Sequence, residues 1–504
     1  MDSVVKLFNE RVMNRKKLYV FAFLFTSFIL IAEKQFIGIP KKAVLFVSLI
    51  VFLIIFFWNE KIEKNVLLIS MTFGILFSVM SPIYEVWDEP AHFTRVVHIS
   101  EGNFYLTNER DNQFVSKDVN KLEEISRYTS RRKEVLPNTF ETELWNYKHN
   151  PEKEEQFRVN VTSAYGTIAY LPSTLGYMIG KIISNNNLGV MFYLGRIFNA
   201  IFYALCAYLA VKLSGKWKHI MAFFALQPLM VYVSGSFNQD AISYGLLLIV
   251  VALFFKMIQN ENEKVVMKDI VIYTLLCVLM AFTKLPYIVL AGLIFFIPFK
   301  KFDSRKTYFV MIGGILLVIA VSAFWFKTYL QIEGIVPTAE NVDVKEQVKF
   351  MLENKKEALG IISTGMFNTI GKYKQLTAFA WDYQVSNTLA LVNLICIGIV
   401  FGFPMKDIDK VSKWTKFGVI VISLIITVFI YLSMYLTWTT VGLGHVLGVQ
   451  GRYFAGVVLI LPIALNFSKY IGEVKENSYT INTLQVVSFL LLIWTLASRI
   501  GVYY

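Results

Sequence analysis

Long apolar runs separated by short charged loops dominate the chain. They fall at residues 18–32, 42–58, 65–82, 163–183, 189–211, 217–233, 238–255, 269–283, 286–299, 307–330, 387–402, 415–437, 452–468 and 481–500. Apolar runs of about 18 or more residues are long enough to cross a bilayer as helices. The pattern predicts an all-α fold, a polytopic transmembrane helix bundle. Two long polar stretches interrupt it, 83–160 and 331–386. Residues 117–135 are densely charged, and 343–359 carry Val344, Val348 and Leu352 at helical spacing. Both read as extramembrane structure resting on the bilayer. Neither a tandem repeat nor a low-complexity tract interrupts the pattern.

Charge placement sets the expected topology. With the basic N-terminus (Arg11, Arg15, Lys16, Lys17) inside, the third run exits and 83–160 lies outside. If 163–183 then crosses, the basic loops that follow also fall outside. Those loops hold Lys212, Lys216 and Lys218; Lys256, Lys264 and Lys268; Lys300, Lys301, Arg305 and Lys306; and Lys406, Lys410, Lys413 and Lys416. That opposes the positive-inside bias, and reading 163–183 as non-crossing restores every loop to the inside. Gly166, Pro172, Gly176 and Gly180 interrupt this segment, and Ser163, Thr167, Ser173 and Thr174 make it polar. Non-crossing backbone at membrane depth is tolerated where it lines a cavity or lies in the interface. The expectation is about thirteen crossings of the cell membrane, with a cytoplasmic N-terminus and an extracytoplasmic C-terminus.

The chain then divides into five parts: N-terminal transmembrane helices (1–82), an outward loop with interfacial helices and the non-crossing segment (83–186), a central bundle (187–330), a second outward loop (331–386) and a C-terminal bundle (387–504).

Composition agrees. Of 504 residues, 56% are hydrophobic and 15% aromatic, well above the usual hydrophobic share of a soluble domain. The formal charge of +13 does not point to nucleic acid, because the Lys and Arg residues sit in short loops between apolar runs. There they act as topology signals and contacts for anionic headgroups. Cys206, Cys277 and Cys396 lie inside apolar runs and read as packing residues, with neither disulfide nor metal expected. Glu33-Lys34 follows the first run without a small-residue cleavage pattern, so that run reads as an anchor helix. The chain carries no P-loop, His-Glu-x-x-His, Cys-x-x-Cys or Gly-x-Ser-x-Gly motif.

Candidate chemistry begins at Trp87-Asp88-Glu89-Pro90-Ala91-His92-Phe93-Thr94-Arg95, directly after the third apolar run. Pro90 suits a first helical turn, and Asp88 or Glu89 can cap it. A helix starting here places Asp88, His92 and Arg95 at i, i+4 and i+7 on one stripe, with Phe93, Val96 and Val97 opposite. Gly102 can stop it. The expectation is a short helix on the membrane surface with acid, imidazole and guanidinium facing one way; the plainer reading is an acidic pair that only caps.

The topology gathers other polar residues on the same outer side: Asn238-Gln239-Asp240, Lys284, Arg196 and the loop from Gly444-His445 to Gln450-Gly451-Arg452-Tyr453. Charges at bilayer depth are costly and default to functional roles. Arg452 follows a loop containing Gly442, Gly444, Gly448 and Gly451, which offers backbone N–H groups, while its own planar fork suits phosphate oxygens. Arg452 and Lys284 can equally snorkel to headgroups. Arg196 and Asn199 share a helix face and can pair with Asp240, as a site or as a structural clamp. His92 and His445 are the histidines near this cluster, each readable as an ordinary interfacial histidine.

An acidic motif just outside an early transmembrane helix, followed by interfacial helices and a multi-span bundle, resembles the GT-C superfamily of membrane glycosyltransferases. These include the protein O-mannosyltransferases and the aminoarabinose transferase of lipid A. The pairing of Trp87-Asp88-Glu89-Pro90-Ala91-His92-Phe93 with Gly448-Val449-Gln450-Gly451-Arg452-Tyr453-Phe454 is similar over most of the chain to a bacterial multipass family known only as a domain of unknown function. The GT-C resemblance implies a polyprenyl-phosphate-linked sugar as donor, a glycan or lipid-linked acceptor, and inverting hexosyl or pentosyl transfer on the outer face. It implies Asp88 as the catalytic carboxylate with Glu89 as runner-up, and Arg452, Lys284 and Arg95 as cations for the phosphate leaving group. His92, Arg196, Asp240, His445 and Gln450 are supporting residues. No cofactor is assigned; GT-C enzymes differ in divalent metal use. A flippase or transporter of lipid-linked saccharides, a polymerase or ligase of lipid-linked chains, and an assembly protein without chemistry are the competing classes. The one-sided polar cluster counts against a transporter.

Overall fold

The computed structural model describes residues 2–33, 41–130, 143–156, 158–259, 263–332, 341–371, 386–403, 411–466 and 478–503. Lys406 and Lys410, the end of the charged stretch (131–135), positions 467–468 of the thirteenth apolar run and most of the irregular part of 331–386 lie outside these residues.

The described chain is a helical bundle. It begins with α1 (Asp2–Arg11), α2 (Lys16–Glu33), α3 (Lys41–Phe57) and α4 (Ile62–Met80). The outward segment follows with α5 (Glu89–Ser100), α6 (Asp118–Ser130) and α7 (Leu171–Ile183). Next come α8 (Leu188–Leu213), α9 (Lys218–Ala225), α10 (Pro228–Ser234), α11 (Asp240–Gln259), α12 (Met267–Ala281), a 3-10 helix (Leu285–Phe296) and α13 (Arg305–Tyr329). The second outward segment holds α14 (Val344–Glu353) and α15 (Lys355–Gly371), and α16 (Asn387–Phe401), α17 (Lys413–Thr437), α18 (Ala455–Leu465) and α19 (Ser478–Tyr503) complete the bundle. Among the described residues the extended structure is one antiparallel ribbon, β1 (Phe114–Ser116) with β2 (Lys153–Glu155), in register Phe114↔Glu155.

Among the described residues six helices are long and apolar enough to cross a membrane: Ile62–Met80, Leu188–Leu213, Asp240–Gln259, Arg305–Tyr329, Lys413–Thr437 and Thr483–Gly501. The runs at 217–233 and 286–299 differ from the continuous α-helices their hydropathy predicts. The run at 217–233 breaks into α9 and α10 because Gln227 turns extended before Pro228, which starts the next helix. The run at 286–299 is a 3-10 helix of 12 residues, whose steeper rise of roughly 2 Å per residue spans about as much depth as 16 α-helical residues.

The segment at 163–183 also differs in detail. Gly176 and Gly180 do not interrupt it, while Gly166 stands in extended backbone ahead of its helical part. After a 3-10 turn (Thr167–Tyr170), α7 runs unbroken for 13 residues, about 20 Å against a hydrocarbon core of about 30 Å. Gly176 and Gly180 face α8 so closely that an added Cβ would lie 2.3 Å from Leu194 O and 2.6 Å from Met191 Cα. Small residues here let two backbones meet, the usual device where lipid removes the hydrophobic drive between helices. Leu171, Leu175, Ile182 and Ile183 remain exposed on the other face.

Polar bonds assist elsewhere: Asn65 of α4 donates to Gln485 Oε1 of α19 at 3.2 Å, both side chains being buried. Among the described residues two large hydrophobic cores result, with a small third cluster of Ile29, Leu30 and Ala497 between α2 and α19. The larger fills the bundle around Phe73, Tyr203, Tyr232 and Tyr244. The second knits α5, α6 and the ends of α7 and α8 through Phe93, Tyr177, Phe192 and Phe237. The motif at 87–89 lies on the seam between them.

Candidate functional site

The seam is built by a sharp turn. Tyr84 and Asp88 both stand in the left-handed region, at φ 65° and 61°. Asp tolerates that conformation better than most residues; for a bulky Tyr it is unusual. The turn aims two consecutive carboxylates in different directions. Neither caps α5. Asp88 occupies the N-cap position without a side-chain bond to the helix, and only its carbonyl accepts the N–H groups of Ala91 and His92.

Glu89 points inward. Its Oε1 accepts from Arg196 Nε at 2.8 Å and Phe237 N at 3.0 Å; its Oε2 accepts from Arg196 Nη2 at 2.6 Å and Tyr84 N at 3.1 Å. Arg196 spends its remaining N–H groups on the carbonyls of Ser78, Ser81 and Pro82 at the end of α4. Both side chains are fully buried. The clamp expected between Arg196 and Asp240 is therefore made with Glu89 instead, because the turn at 84–88 delivers Glu89 to α8. It locks the motif to the bundle and leaves Glu89 no open lone pair.

Asp88 points the other way, onto Arg452 Nη2. Arg452 Nε faces Asp240 Oδ2 at 3.6 Å, and Asp240 Oδ1 accepts from Lys284 Nζ. The result is an alternating row, Asp88–Arg452–Asp240–Lys284, whose formal charges cancel. Arg452, Asp240 and Lys284 are buried, while the Asp88 side chain keeps 36% of its surface. The rings of Trp87 and Tyr453 lie 5.5 and 5.4 Å from the Arg452 guanidinium carbon, and Lys284 Nζ sits 4.5 Å from the Tyr453 ring centre. Cation–π contacts of this kind are worth about 0.5–2 kcal/mol each and hold the cations without using their N–H groups. Arg452 Nε and Nη1 accordingly remain buried without a hydrogen bond.

The row is assembled from four separate elements. Asn238 ties two of them, donating from Nδ2 to Trp87 O at 2.8 Å and accepting from Asp240 N at 2.8 Å. Tyr244 and Tyr287 fix the cation segment by donating to the carbonyls of Arg452 at 3.1 Å and Tyr453 at 3.0 Å. Trp87 and Tyr453 stand in the quoted motifs beside a charge; Tyr244, Tyr287 and Asn238 carry no sequence signal beyond polarity in or beside an apolar run.

The expected surface helix is corrected. All of α5 from Ala91 to Ile99 is buried, because α6 and the segment before α7 cover the face predicted to be open. His92 stays near Asp88, its Nδ1 2.9 Å from Tyr170 OH. Burial pushes its pKa down to about 4, with Asp88 pulling the other way, so it is neutral at pH 7. Arg95 leaves the stripe: it donates to Asn103 O at 3.1 Å and Phe104 O at 2.8 Å and contacts His98. It staples the loop after α5 and does not reach the row. Burial lowers its pKa to about 10, and burial with Arg95 alongside lowers that of His98 to about 3.

Gln450 occupies the N-cap position of the turn Gly451–Phe454, its buried Oε1 unbonded, and His445 is exposed in the loop before it. Neither makes a hydrogen bond with the row among the described residues. Nor do the described residues hold a group of three or more His, Cys, Asp or Glu side chains set for a metal ion.

A polytopic helical membrane protein with a buried, self-neutralised charge row opening at one carboxylate is the class that fold and site define. Within that class the chain belongs to the family described as predicted membrane protein (DUF2142), which it matches over residues 71–461. The match takes in both halves of the row. A comparison with curated proteins finds no match.

Proposed function

We propose that the protein is a membrane glycosyltransferase of GT-C type. It moves a sugar from a polyprenyl-phosphate donor to a cell-envelope glycan or lipid-linked acceptor on the outer face of the plasma membrane, with the N-terminus cytoplasmic and the C-terminus extracytoplasmic. The observation that carries this reading is Arg452. A buried guanidinium with unbonded N–H groups at Nε and Nη1, beside a partly open carboxylate, is suited to donate to phosphate oxygens.

In this reading Asp88 is the base. It takes the proton of an acceptor hydroxyl while that oxygen attacks the anomeric carbon. The bond from that carbon to the phosphate oxygen breaks, its electron pair leaves on the phosphate, and the sugar inverts. Arg452 keeps its Nη2 contact with Asp88 and its Nε towards Asp240, and offers its Nη1 N–H groups to the phosphate. Lys284 neutralises Asp240, so Arg452 is not fully compensated from that side. The total charge is the same before and after, because the proton enters as the phosphate gains charge. Glu89 and Arg196 position the motif, and Arg95 is left out of phosphate binding.

A transporter of lipid-linked saccharides is the second reading, and the break between α9 and α10 favours it, since discontinuous helices mark many transport sites. The product separates the two. Protein in nanodiscs supplied with polyprenyl-phosphate sugars should release polyprenyl phosphate, followed by mass spectrometry. Arg452→Lys should lower release by roughly 10- to 100-fold, as a point charge does not replace a fork, and Arg305→Ala, at an exposed position, should leave it unchanged. Equal release by wild type and Arg452→Lys would refute the reading; release of none would favour the transporter.

A further inference from the structure

Helix α14 has one fully buried residue, and that residue is polar. Gln347 Oε1 accepts from Gly442 N at 3.1 Å, Asn341 O accepts from Val441 N at 3.1 Å, and the Phe350 ring lies against Gly442, which sits at φ +72°. These contacts grip the loop that runs on to Arg452. Its later turns are fixed by Tyr435 OH donating to Leu443 O at 3.1 Å and Leu447 N donating to Thr439 Oγ1 at 3.0 Å.

Beside exposed charges, α14 and α15 leave Val348, Leu352, Leu359 and Phe367 uncovered among the described residues. At about 100° per residue, Val348 and Leu352 flank the Gln347 face of α14, and Lys345 and Lys349 form the next stripe round. On α15, Ala358, Ile361 and Ile362 are buried, while Leu359 and Phe367 are 71% and 75% exposed. Helix α15 packs on the candidate span α17, with Gly365 against the Tyr431 ring. That span itself exposes Leu424, Val428 and Phe429, so α15 is packed against a helix that has an apolar outer surface of its own. A protein-facing edge, an apolar flank and a lysine edge, in that order round one helix, is the arrangement of a helix lying in a bilayer interface.

We propose that α14 and α15 form an arm seated in the outer leaflet, and that Gln347 is a positioning residue through which this arm holds the Arg452 loop. The occupant of the exposed face is the lipid bilayer. The inference deepens the proposed function, since the loop leads to the phosphate-binding cation, but its test reads neither donor nor transfer, so each can fail alone.

The test uses the full chain in nanodiscs of phosphatidylethanolamine and phosphatidylglycerol, with nitroxides on cysteines introduced singly at Leu359, Phe367 and Glu346. Collision with oxygen should exceed collision with a water-soluble nickel chelate at Leu359 and Phe367, and the order should reverse at Glu346. Nickel-dominated collision at Leu359 and Phe367 would overturn the seating, and so would protection from both reagents, which would mean protein cover. Gln347→Leu keeps the side-chain volume and removes the side-chain hydrogen bond to Gly442 N. A nitroxide at His445 should then tumble at least about twice as fast, while the depth at Leu359, which also reports folding, stays unchanged. An unaltered spectrum at His445 with depth retained would overturn the coupling.

Discussion

Asp88→Asn is the substitution on which the proposed chemistry turns. Asn is as much at home in the left-handed region as Asp, so the backbone at φ 61° is kept. Its amide oxygen can still accept from Arg452 Nη2. What changes is charge: the row goes from neutral to a formal +1. Severing a fully buried ion pair costs about 3–5 kcal/mol. Here Asp88 is a third exposed, Asn retains the acceptor, and Asp240 still faces Arg452, so about 1–2 kcal/mol of stability is expected to be lost. Asp88→Ala is a poorer probe, since it also puts alanine at positive φ.

The catalytic effect should be far larger. An amide cannot take the acceptor proton, and loss of a general base costs about 10²- to 10⁴-fold, or about 3–5 kcal/mol of barrier. The assay is release of polyprenyl phosphate in nanodiscs, with thermal unfolding of the same preparation as the folding control. Transfer at the wild-type rate by a well-folded Asp88→Asn protein would remove Asp88 from the mechanism.

Three further outcomes are expected. Glu89→Gln should act on stability first, losing up to about 3–5 kcal/mol by leaving the buried Arg196 without its counter-charge; a melting temperature equal to wild type would contradict the clamp. His92 and His98 are held neutral below their ordinary pKa of about 6.5, so their stability contribution is complete above that pH and fades as pH falls towards their folded values of about 4 and 3. At pH 5 each should have lost about 2 kcal/mol, seen as a falling melting temperature that His98→Gln partly flattens, and a flat profile from pH 7.5 to 5 would refute this. If α7 does not cross, a cysteine at Asn186 should react with an impermeant thiol reagent on intact cells and one at Lys216 should not; labelling at Lys216 from outside would overturn the proposed topology.

What the chain discloses before folding is unequal, and the reasons are physical. Helical runs are legible because lipid demands that every backbone group be bonded within its own segment, so apolar length alone marks them. The break at Gln227-Pro228 is legible from proline chemistry but hidden inside a run read by hydropathy. The 3-10 helix has no hydropathy signature at all. At the site, the acidic pair and Arg452 stand out because charge next to hydrocarbon is rare, yet sequence cannot say which carboxylate meets which cation. That was decided by two residues at positive φ, Tyr84 and Asp88, which turn adjacent side chains to opposite sides. Helical periodicity put Asp88, His92 and Arg95 on one stripe; the long Arg95 side chain instead reached back to the carbonyls of its own following loop. The two acids thus divide the labour by environment. Glu89, saturated by four hydrogen bonds and shut from solvent, fixes the turn; Asp88, held by a single guanidinium contact and partly open at the edge of the row, is the one the proposed chemistry calls on.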